Sequence, residues 1–402
     1  MNDADAPSLP VWRPQDGPGA VLQLIASGRA VTRGAIAEAL GLSRSTVLDR
    51  LGLLIGAGLV RETEEVVSGR GRPSQVLRLD TKERLIIAVD IGEERTRVAV
   101  TDLGAEIRGE RVERLELSDG PEALLSRVSA IAREVLADEG LSADKVVGLG
   151  LGLPAPVDYE AGQVQGWSIM SGWDGFDIRS ALGRDWPVPV VIDNDVNLLT
   201  LAEQRTHWPD ERHLLYIKAG TGVGSGMVVG GAIHRGAQGA AGDIGHAHIS
   251  GYHDPLCRCG NRGCLEALVG GWALAEALRA DRPGLRSARD VAGLVKRGDS
   301  DAVALLRTAG RILGEAAAFA TSMLNPSVIV LGGALSAAGD HLIAGVREVI
   351  YQRALPLATR QLRIVPTHFR SRAGIAGASL LVRDHVLDPA AIDARLAGAP
   401  RP

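Results

Sequence analysis

The sequence predicts an α/β protein in which a small N-terminal module of helices and a hairpin precedes a larger domain of two α/β lobes. The chain has 402 residues. That length is too great for one ordinary hydrophobic core, and we expect three units. Helical patterns followed by two strand-like runs occupy residues 20–79, and beyond them apolar strand-like runs alternate with helical ones. Such alternation is typical of layered α/β architecture.

The composition narrows the class of protein. Hydrophobic residues make up 46% of the chain and charged residues 23%, as in soluble globular proteins, and the net charge of −4 excludes a globally basic nucleic-acid coat. The N-terminal sequence MNDADAPSLP lacks the basic start and apolar stretch of a signal peptide, and nowhere do about 18 uncharged apolar residues run together. We therefore predict a cytoplasmic protein without a membrane segment, with residues 1–18 as a tail.

The N-terminal module, residues 19–80, is predicted to be a winged helix-turn-helix. Apolar residues recur at helical spacing in three short segments, and two alternating, β-prone segments follow them. The predicted helices cover residues 20–27, 33–40 and 43–57, and the predicted strands cover residues 59–67 and 75–79. A module of this kind binds DNA by placing its second turn-linked helix in the major groove.

The third helix of the module carries the candidate DNA contacts. Gly41 separates it from the helix before, Ser43 can cap its first turn, and Gly58 is expected to end it in a left-handed conformation. Helical spacing predicts that Val47, Leu51, Leu54 and Ile55 face the module core. Polar side chains near the N-terminus of such a helix reach base edges and phosphates. The candidates are Ser43, Arg44, Ser45, Thr46 and Arg50.

The hairpin tip supplies a second set of candidate DNA contacts. Its sequence SGRGRP, residues 68–73, places Arg70 and Arg72 on either side of a glycine, which suits a narrow minor groove or the phosphate backbone. Between residues 28 and 78 there are eight arginines against five acidic residues, so the module is locally basic. The alternative is an ordinary solvated helix face and a simple linker turn.

All cysteines of the chain lie in one short segment that predicts a metal site. Cys257, Cys259 and Cys264 follow His246, and three thiolates with one imidazole make a closed tetrahedral zinc set. His248 and His253 are rival fourth ligands, and three free thiols without metal are the alternative. We expect a structural Zn²⁺ and a loop, residues 246–266, whose folding depends on it.

Five motifs in a fixed order give the larger domain a resemblance to a known family. VIDNDVN begins at residue 191, KAGTGVGSG at 218, GDIGH at 242, CRCGNRGCLE at 257 and VIVLGGAL at 328. Together with the N-terminal module they resemble the ROK family of repressors, open reading frames and sugar kinases, nearly from residue 20 to 385. The resemblance implies an actin-like ATPase (sugar kinase-like) fold, zinc held by His246 and the three cysteines, a homodimer or homotetramer, and a sugar or sugar-derived effector.

The resemblance also assigns lobes and sugar contacts. It implies an N-terminal lobe of residues 81–200, rejoined by a helix near 373–387, a C-terminal lobe of residues 201–372, and a tail of residues 388–402. Asp195 falls where family kinases hold their general base, which deprotonates the attacking hydroxyl. From the residues alone, Asn194 and Asp195 could equally cap the helix that follows them. The implied sugar contacts are Asn194, Asp195, Asp243, His246 and Glu266.

Several departures from the family pattern weigh against catalysis. Family kinases carry a phosphate loop that resembles DIGGT, whereas this chain has DIGEERT at residues 90–96, and Glu93 and Glu94 would repel a triphosphate. Ile169 and Asp243 replace hexose-contacting residues of the family, and Ile169 cannot hydrogen-bond a hydroxyl. Bound ATP and Mg²⁺ are therefore not expected. The remaining, vestigial nucleotide-binding residues would be Gly220, Thr221, Gly222, Gly332 and Gly333.

These observations predict a transcriptional repressor that binds double-stranded operator DNA and senses a sugar, without enzymatic activity. The alternative is an ATP-dependent sugar kinase with an appended DNA-binding module, supported by Asp195 and the intact second glycine segment. A third possibility is a zinc-stabilised interaction scaffold, which would bind neither DNA nor sugar.

Overall fold

A computed structural model describes residues 16–67, 74–164, 170, 172–369 and 371–397. The N-terminal module has the winged helix-turn-helix order that the sequence predicts. Helix α1 begins at Pro18, so the expected tail of residues 1–18 ends slightly too late, and residues 1–15 lie outside the described part. The elements are α1 Pro18–Ala26, α2 Arg33–Leu40, α3 Arg44–Gly56, β1 Val60–Val67 and β2 Ser74–Leu79, with β1 and β2 antiparallel.

Helix α3 has the predicted caps and most of the predicted core face. The Ser43 hydroxyl accepts a hydrogen bond from the amide of Thr46 at 3.1 Å, and Gly58 adopts a φ of 62°. Val47, Leu51 and Leu54 are buried. The prediction for Ile55 is wrong, because this side chain is 39% exposed. Ile55 directly follows Leu54, so it lies about 100° around the helix from that side chain, at the rim of the buried stripe.

The N-terminal lobe contains a five-stranded mixed sheet. Its strand order is β5-β4-β3-β6-β9, in which β3, β4 and β5 pair antiparallel and β3, β6 and β9 pair parallel. Apolar residues of α4 cover one face of this sheet. The elements are β3 Leu85–Ile91, β4 Thr96–Asp102, β5 Ile107–Glu113, α4 Pro121–Asp138, β6 Val146–Leu153, β7 Val157–Asp158, β8 Gln163–Val164, α5 Ile178–Gly183, β9 Val190–Asn194 and α6 Asp195–His207.

The C-terminal lobe repeats the topology of the first sheet. Its strand order is β12-β11-β10-β13-β14, again an antiparallel hairpin beside parallel strands, so residues 86–102 and 213–229 occupy equivalent positions in the two lobes. The elements are β10 Leu214–Ala219, β11 Val223–Val229, β12 Ala232–Ile233, α7 Leu265–Val269, α8 Gly271–Leu278, α9 Ala288–Lys296, α10 Ser300–Leu324, β13 Val328–Gly332, α11 His341–Arg353, α12 Pro356–Thr359 and β14 Arg363–Pro366.

Two C-terminal helices leave this lobe and contact the rest of the chain. Helix α13, Ala373–Val386, packs on α6, β3 and β6 of the N-terminal lobe. The approach is close, because a Cβ at Gly377 would lie 2.1 Å from the carbonyl oxygen of Leu198. No helix in the described ranges is both long and apolar enough to cross a membrane.

The last helix corrects the expectation of a tail from residue 388. Residues Pro389–Ala397 form α14, and Ile392 and Leu396 are buried in the hydrophobic core of the N-terminal module. The carboxylate of Asp393 accepts a hydrogen bond from the amide of Gly19 at 2.7 Å. Arg84, at the entry to β3, donates to the carbonyl oxygen of Ala57 at 2.7 Å. The module therefore contacts the lobes through the segment that leads into β3 and through the C-terminal helix α14.

Candidate functional site

A cavity of about 190 Å³ between the lobes brings together the predicted sugar contacts. Strand β9 ends at its rim, the β10–β11 turn forms its floor, and residues 239–246 and the cysteine-rich loop form its walls. These segments come from both lobes, because β9 belongs to the sheet of the N-terminal lobe and β10 to the sheet of the C-terminal lobe. The cavity is lined by Asn194, Asp195, Asp243, His246 and Glu266, among others.

Asn194 and Asp195 have different contacts within this cavity. The Asn194 amide oxygen accepts from the amide of Val196 at 2.9 Å, and its amide nitrogen donates to the carbonyl oxygen of Ala155 at 3.0 Å. Asn194 therefore caps α6 while it lines the cavity. Asp195 is buried in the first turn of α6, where the helix dipole favours a negative charge.

A lysine that sequence reasoning missed is paired with Asp195. The Lys218 ammonium donates to the Asp195 carboxylate. Burial alone would lower the pKa of Lys218, but Asp195, Asp90 and Glu93 raise it above its usual value. Lys218 is therefore charged, and Asp195 is occupied by an ion pair. The available signal was a lysine inside the apolar run LLYIKA, directly before a glycine segment.

Two further carboxyl groups lie in strongly perturbed surroundings. Burial, followed by the nearby charge of Asp195, raises the pKa of Asp90 to about 6. Burial also raises the pKa of Asp243, against the effect of His246. Glu266 is held by the amide of Val223 at 3.0 Å and by the indole nitrogen of Trp272 at 3.3 Å. Perturbed carboxyl groups that converge on a cleft are typical of ligand sites.

The predicted metal ligands form one compact group. One ligand atom from each of His246, Cys257, Cys259 and Cys264 lies within 4.8 Å of the others. The Cys257 sulfur is 3.7 Å from Nδ1 of His246, and the Cys259 and Cys264 sulfurs are 3.7 Å apart. A tetrahedron with Zn–S bonds of about 2.3 Å has edges of about 3.8 Å, so the donor set fits zinc.

The rival histidines are not part of this group. Nε2 of His248 instead lies 3.5 Å from a carboxylate oxygen of Asp254, and His253 is likewise absent from the cluster. Burial raises the pKa of the Cys264 thiol to about 12. A bound metal ion would reverse that shift, because it stabilises the thiolate.

A second, larger cavity of about 530 Å³ contains several of the residues predicted as vestigial nucleotide contacts. Glu93 and Glu94 both line it, so the two carboxylates face inward. Gly220, Thr221 and Gly333 line this cavity as well, whereas Gly222 lines the first one. Gly332 lies beside the Tyr216 hydroxyl, where a Cβ would come within 1.9 Å. Ile169 lies outside the described residues.

The candidate DNA contacts separate into two groups. Arg44 and Ser45 are exposed at the N-terminal end of α3, next to the capping Ser43 and the partly exposed Thr46. Sequence reasoning missed Leu48, which is 53% exposed on the same helix.

The structure places Arg50 differently from the prediction. Its Nε donates to the carbonyl oxygen of Asp16 at 3.3 Å, so this side chain contacts the start of α1. It therefore does not share the outward face of Arg44. Arg70 and Arg72 lie outside the described residues.

Known proteins resemble both parts of the chain. A family model described as the ROK family matches residues 86–385, and one described as a helix-turn-helix domain matches residues 19–63. A putative xylose repressor of Caldicellulosiruptor sp. is 28% identical over 381 residues, 91% of this chain and 95% of that protein. A glucokinase of Halalkalibacterium halodurans is 28% identical over 320 residues, 75% of this chain and 96% of that protein.

Among solved structures, a ROK family transcriptional regulator, a homologue of the Escherichia coli MLC protein, has the same fold. Its TM-score is 0.80 at 24% identity, over 96% of this chain and 99% of that chain. The repressor and regulator matches thus cover nearly the whole chain, whereas the glucokinase match covers three quarters of it.

Proposed function

Because the chain belongs to the ROK family, we propose that it is a transcriptional repressor whose winged helix-turn-helix binds operator DNA and whose two lobes bind a sugar or sugar derivative. The observation that carries this proposal is the junction of the two parts: helix α14 completes the core of the DNA-binding module, directly after α13 on the N-terminal lobe. A change in lobe position can therefore reach the DNA-binding module through packed helices.

The proposed DNA contacts lie on the outward face of α3 and on the hairpin tip. Arg44, Ser45 and Thr46 would reach base edges or phosphates, with Ser43 at the cap. The exposed Leu48 would contact a thymine methyl group. Arg70 and Arg72 would enter the minor groove or neutralise phosphates.

The proposed effector is a single sugar ring or a derivative of similar size. Asn194, Asp195, Asp243 and Glu266 supply hydrogen-bonding groups around a small cavity, as recognition of several hydroxyl groups requires. The zinc loop contributes His246 to the same cavity. We propose that a structural Zn²⁺ held by His246 and the three cysteines fixes this wall.

A homodimer is proposed from the exposed apolar residues of the C-terminal lobe. They lie on α10, on α11 and around α12, and large exposed apolar patches mark interaction sites. Two copies would present two α3 helices to half-sites about 34 Å apart on a palindromic operator. The exposed residues are Phe319, Met323, Tyr351, Leu355 and Leu357.

Operator selection from a random DNA library, followed by titration at several salt concentrations, tests this function. We expect affinity to fall with salt on a log–log plot and Arg44→Ala to weaken binding by about 1–3 kcal/mol. Arg114→Ala is the matched control, because Arg114 is an exposed arginine of the N-terminal lobe. Failure to select any sequence, or equal affinities for the two variants, would contradict the proposal.

The second candidate function is an ATP-dependent sugar kinase, which Asp195 and the glucokinase relative favour. Against it stand the Lys218–Asp195 ion pair and the carboxylates of Glu93 and Glu94 in the cleft. Phosphate transfer from ATP to a panel of hexoses, abolished by Asp195→Asn, would establish the kinase. We expect no transfer above the level of the Asp195→Asn variant.

A further inference from the structure

A charged partition separates the two cavities. Glu93, Asp195 and Lys218 line both of them, so these side chains stand between the candidate sugar pocket and the former nucleotide cleft. Asp195 and Lys218 are ion-paired with each other. Glu93 comes from the loop after β3, in the N-terminal lobe, and its partner comes from the opposite lobe.

The partner of Glu93 lies within the cysteine-rich loop. The Glu93 carboxylate is 3.0 Å from the guanidinium of Arg258, which stands between the ligands Cys257 and Cys259. That guanidinium also lies 4.9 Å from the ring centre of Trp272, so aromatic and carboxylate contacts fix its position. The first loop of the N-terminal lobe is thus attached to the metal loop of the C-terminal lobe.

The next residue makes an equivalent contact on the other side of the cleft. One Glu94 oxygen lies 3.1 Å from the guanidinium of Arg289, at the start of α9. The other accepts a hydrogen bond from the Thr221 hydroxyl at 3.3 Å. Thr221 lies in the β10–β11 turn, the glycine segment that would face nucleotide phosphates. A carboxylate therefore binds where a phosphate oxygen would accept the same donors.

We propose that Glu93 and Glu94 form a latch between the lobes, in which two internal carboxylates take the place of nucleotide phosphates. Both groups accept hydrogen bonds and pair with arginine, so the latch closes the cleft without a nucleotide. Lobe closure then depends on ionic strength and on the contents of the sugar pocket. Because closure needs no ATP, such a protein would respond to a sugar whatever the nucleotide concentration.

The latch differs from simple repulsion of a nucleotide in one measurable respect. If Glu94 only repels phosphates, Arg289 has no influence on the cleft. If the two residues hold the lobes together, loss of either one opens the cleft, and loss of both opens it no further, because a paired interaction is removed only once. A double-mutant cycle on this pair therefore separates the two explanations.

The experiment is amide hydrogen exchange on the full-length, zinc-bound protein, with Glu94→Gln, Arg289→Gln and the double variant. Exchange is compared in all proteins at residues 219–224, which no substitution alters, and also in the unsubstituted partner segment of each single variant, residues 288–292 for Glu94→Gln and residues 91–96 for Arg289→Gln. Each single variant should speed exchange there about two- to fivefold, as expected for a partly exposed ion pair. The double variant should match the singles.

Asp185→Asn is the matched control. Asp185 pairs with Arg133 at 3.1 Å within the N-terminal lobe, and the side chains are 41% and 52% exposed, against 33% and 51% for Glu94 and Arg289. It should leave exchange in the cleft segments unchanged. Salt raised to about 1 M should speed exchange more in the unsubstituted protein than in the double variant, because salt screens exposed ion pairs and the double variant keeps only the Glu93–Arg258 pair of the latch.

Three outcomes would overturn the latch. The first is unchanged exchange in both single variants, the second is additive acceleration in the double variant, and the third concerns a variant with exchanged charges. A variant with exchanged charges, Glu94→Arg with Arg289→Glu, distinguishes loss of the ion pair from misfolding, because it restores the pair with both residues substituted. It should return exchange to within about twofold of the unsubstituted protein, and continued fast exchange in a variant that keeps its zinc would also count against the latch.

Discussion

At the scale of single residues, the candidate pocket contains more charge than a sugar needs. Asp90, Glu93 and Asp195 surround one ammonium group, that of Lys218. Asp195 resembles the base of family kinases, but in this structure its carboxylate is engaged by the Lys218 ammonium. The sequence places these residues in separate motifs, so their convergence could not be read from spacing; it arises from the packing of one lobe against the other.

The raised pKa of Asp90 predicts a specific dependence of stability on pH. The folded-state pKa is about 6, against 3.8 for the ordinary group, so the folded protein binds the proton more tightly than the unfolded chain. This residue's contribution to stability is therefore present at low pH and is lost as the pH rises from about 4 to about 6. Across that range the loss should reach up to about 3 kcal/mol.

Asp90→Asn should remove this loss, since asparagine has nearly the same shape and does not titrate. The measurement is the free energy of unfolding in urea at several pH values for both proteins. Between pH 4 and pH 6 the free energy of unfolding of Asp90→Asn should increase relative to that of the unsubstituted protein. Above pH 6 the difference should stay constant. Parallel curves would show that Asp90 does not titrate in this range. Asp102→Asn, in the adjacent strand, is the control.

At the scale of elements, the sequence predicted the helices whose hydrophobic residues recur with a clear helical period. Helix α2 begins and ends at the predicted residues, 33 and 40. Helix α14 was missed because its hydrophobic periodicity is weak: its two buried residues, Ile392 and Leu396, are separated by a single turn. A helix of nine residues is also only marginally stable by itself. Its structure depends on α1, which is distant in sequence. Arg50 was misplaced for a similar reason, because its contact with Asp16 is tertiary.

Helix α14 predicts a coupling between the C-terminus and DNA binding. Ile392→Asp would bury a carboxylate without a partner in the core of the DNA-binding module, at a cost of about 3 kcal/mol or more. Operator affinity should fall at least tenfold, whereas sugar binding by the lobes should be retained. Ala394→Asp, exposed on the same helix, is the control. Equal operator affinity of the two variants would show that α14 does not support the module.

The cysteine-rich loop predicts that metal and sugar binding are linked. Two isolated backbone bridges, His248 with Cys264 and Leu256 with Arg262, give this loop little structure of its own. Chelation should therefore unfold residues 246–266, release about one zinc per chain, and change the fluorescence of the adjacent Trp272. The thermal shift given by the best sugar of a panel should disappear and return when zinc, but not magnesium, is added back. Full retention of the sugar shift after complete zinc loss would contradict this link.

At the scale of the whole molecule, the two lobes share one topology and differ in what covers them. In the N-terminal lobe, α13 covers the face of the sheet that α4 leaves free, while the C-terminal lobe carries α10 and α11 packed side by side. Each sheet contains a strand, a turn with glycine and a second strand, at residues 86–102 and 213–229, and this similarity can be seen in the sequence. The sequence could not indicate which apolar helix face is exposed, because a buried and an exposed apolar residue cannot be distinguished in a single sequence.

The exposed apolar face of the C-terminal lobe predicts a dimer that splits when charge is placed on it. In a two-fold interface each substitution acts twice, so Phe319→Glu with Leu357→Glu should raise the dimer dissociation constant by about 100-fold or more. Sedimentation equilibrium measures this change directly. Operator affinity should fall with it, because a monomer holds one recognition helix and loses the gain from simultaneous binding of two half-sites.

Val112→Glu is the control for this prediction, since Val112 is a 40% exposed apolar residue of the N-terminal lobe. It should leave the association state unchanged. The lobes of the monomeric variant should still bind zinc and sugar, because no ligand or cavity residue is altered. A double variant that remains dimeric at the same concentrations would place the interface on another surface. In that case the spacing of the two recognition helices would have to be set by contacts outside α10, α11 and α12.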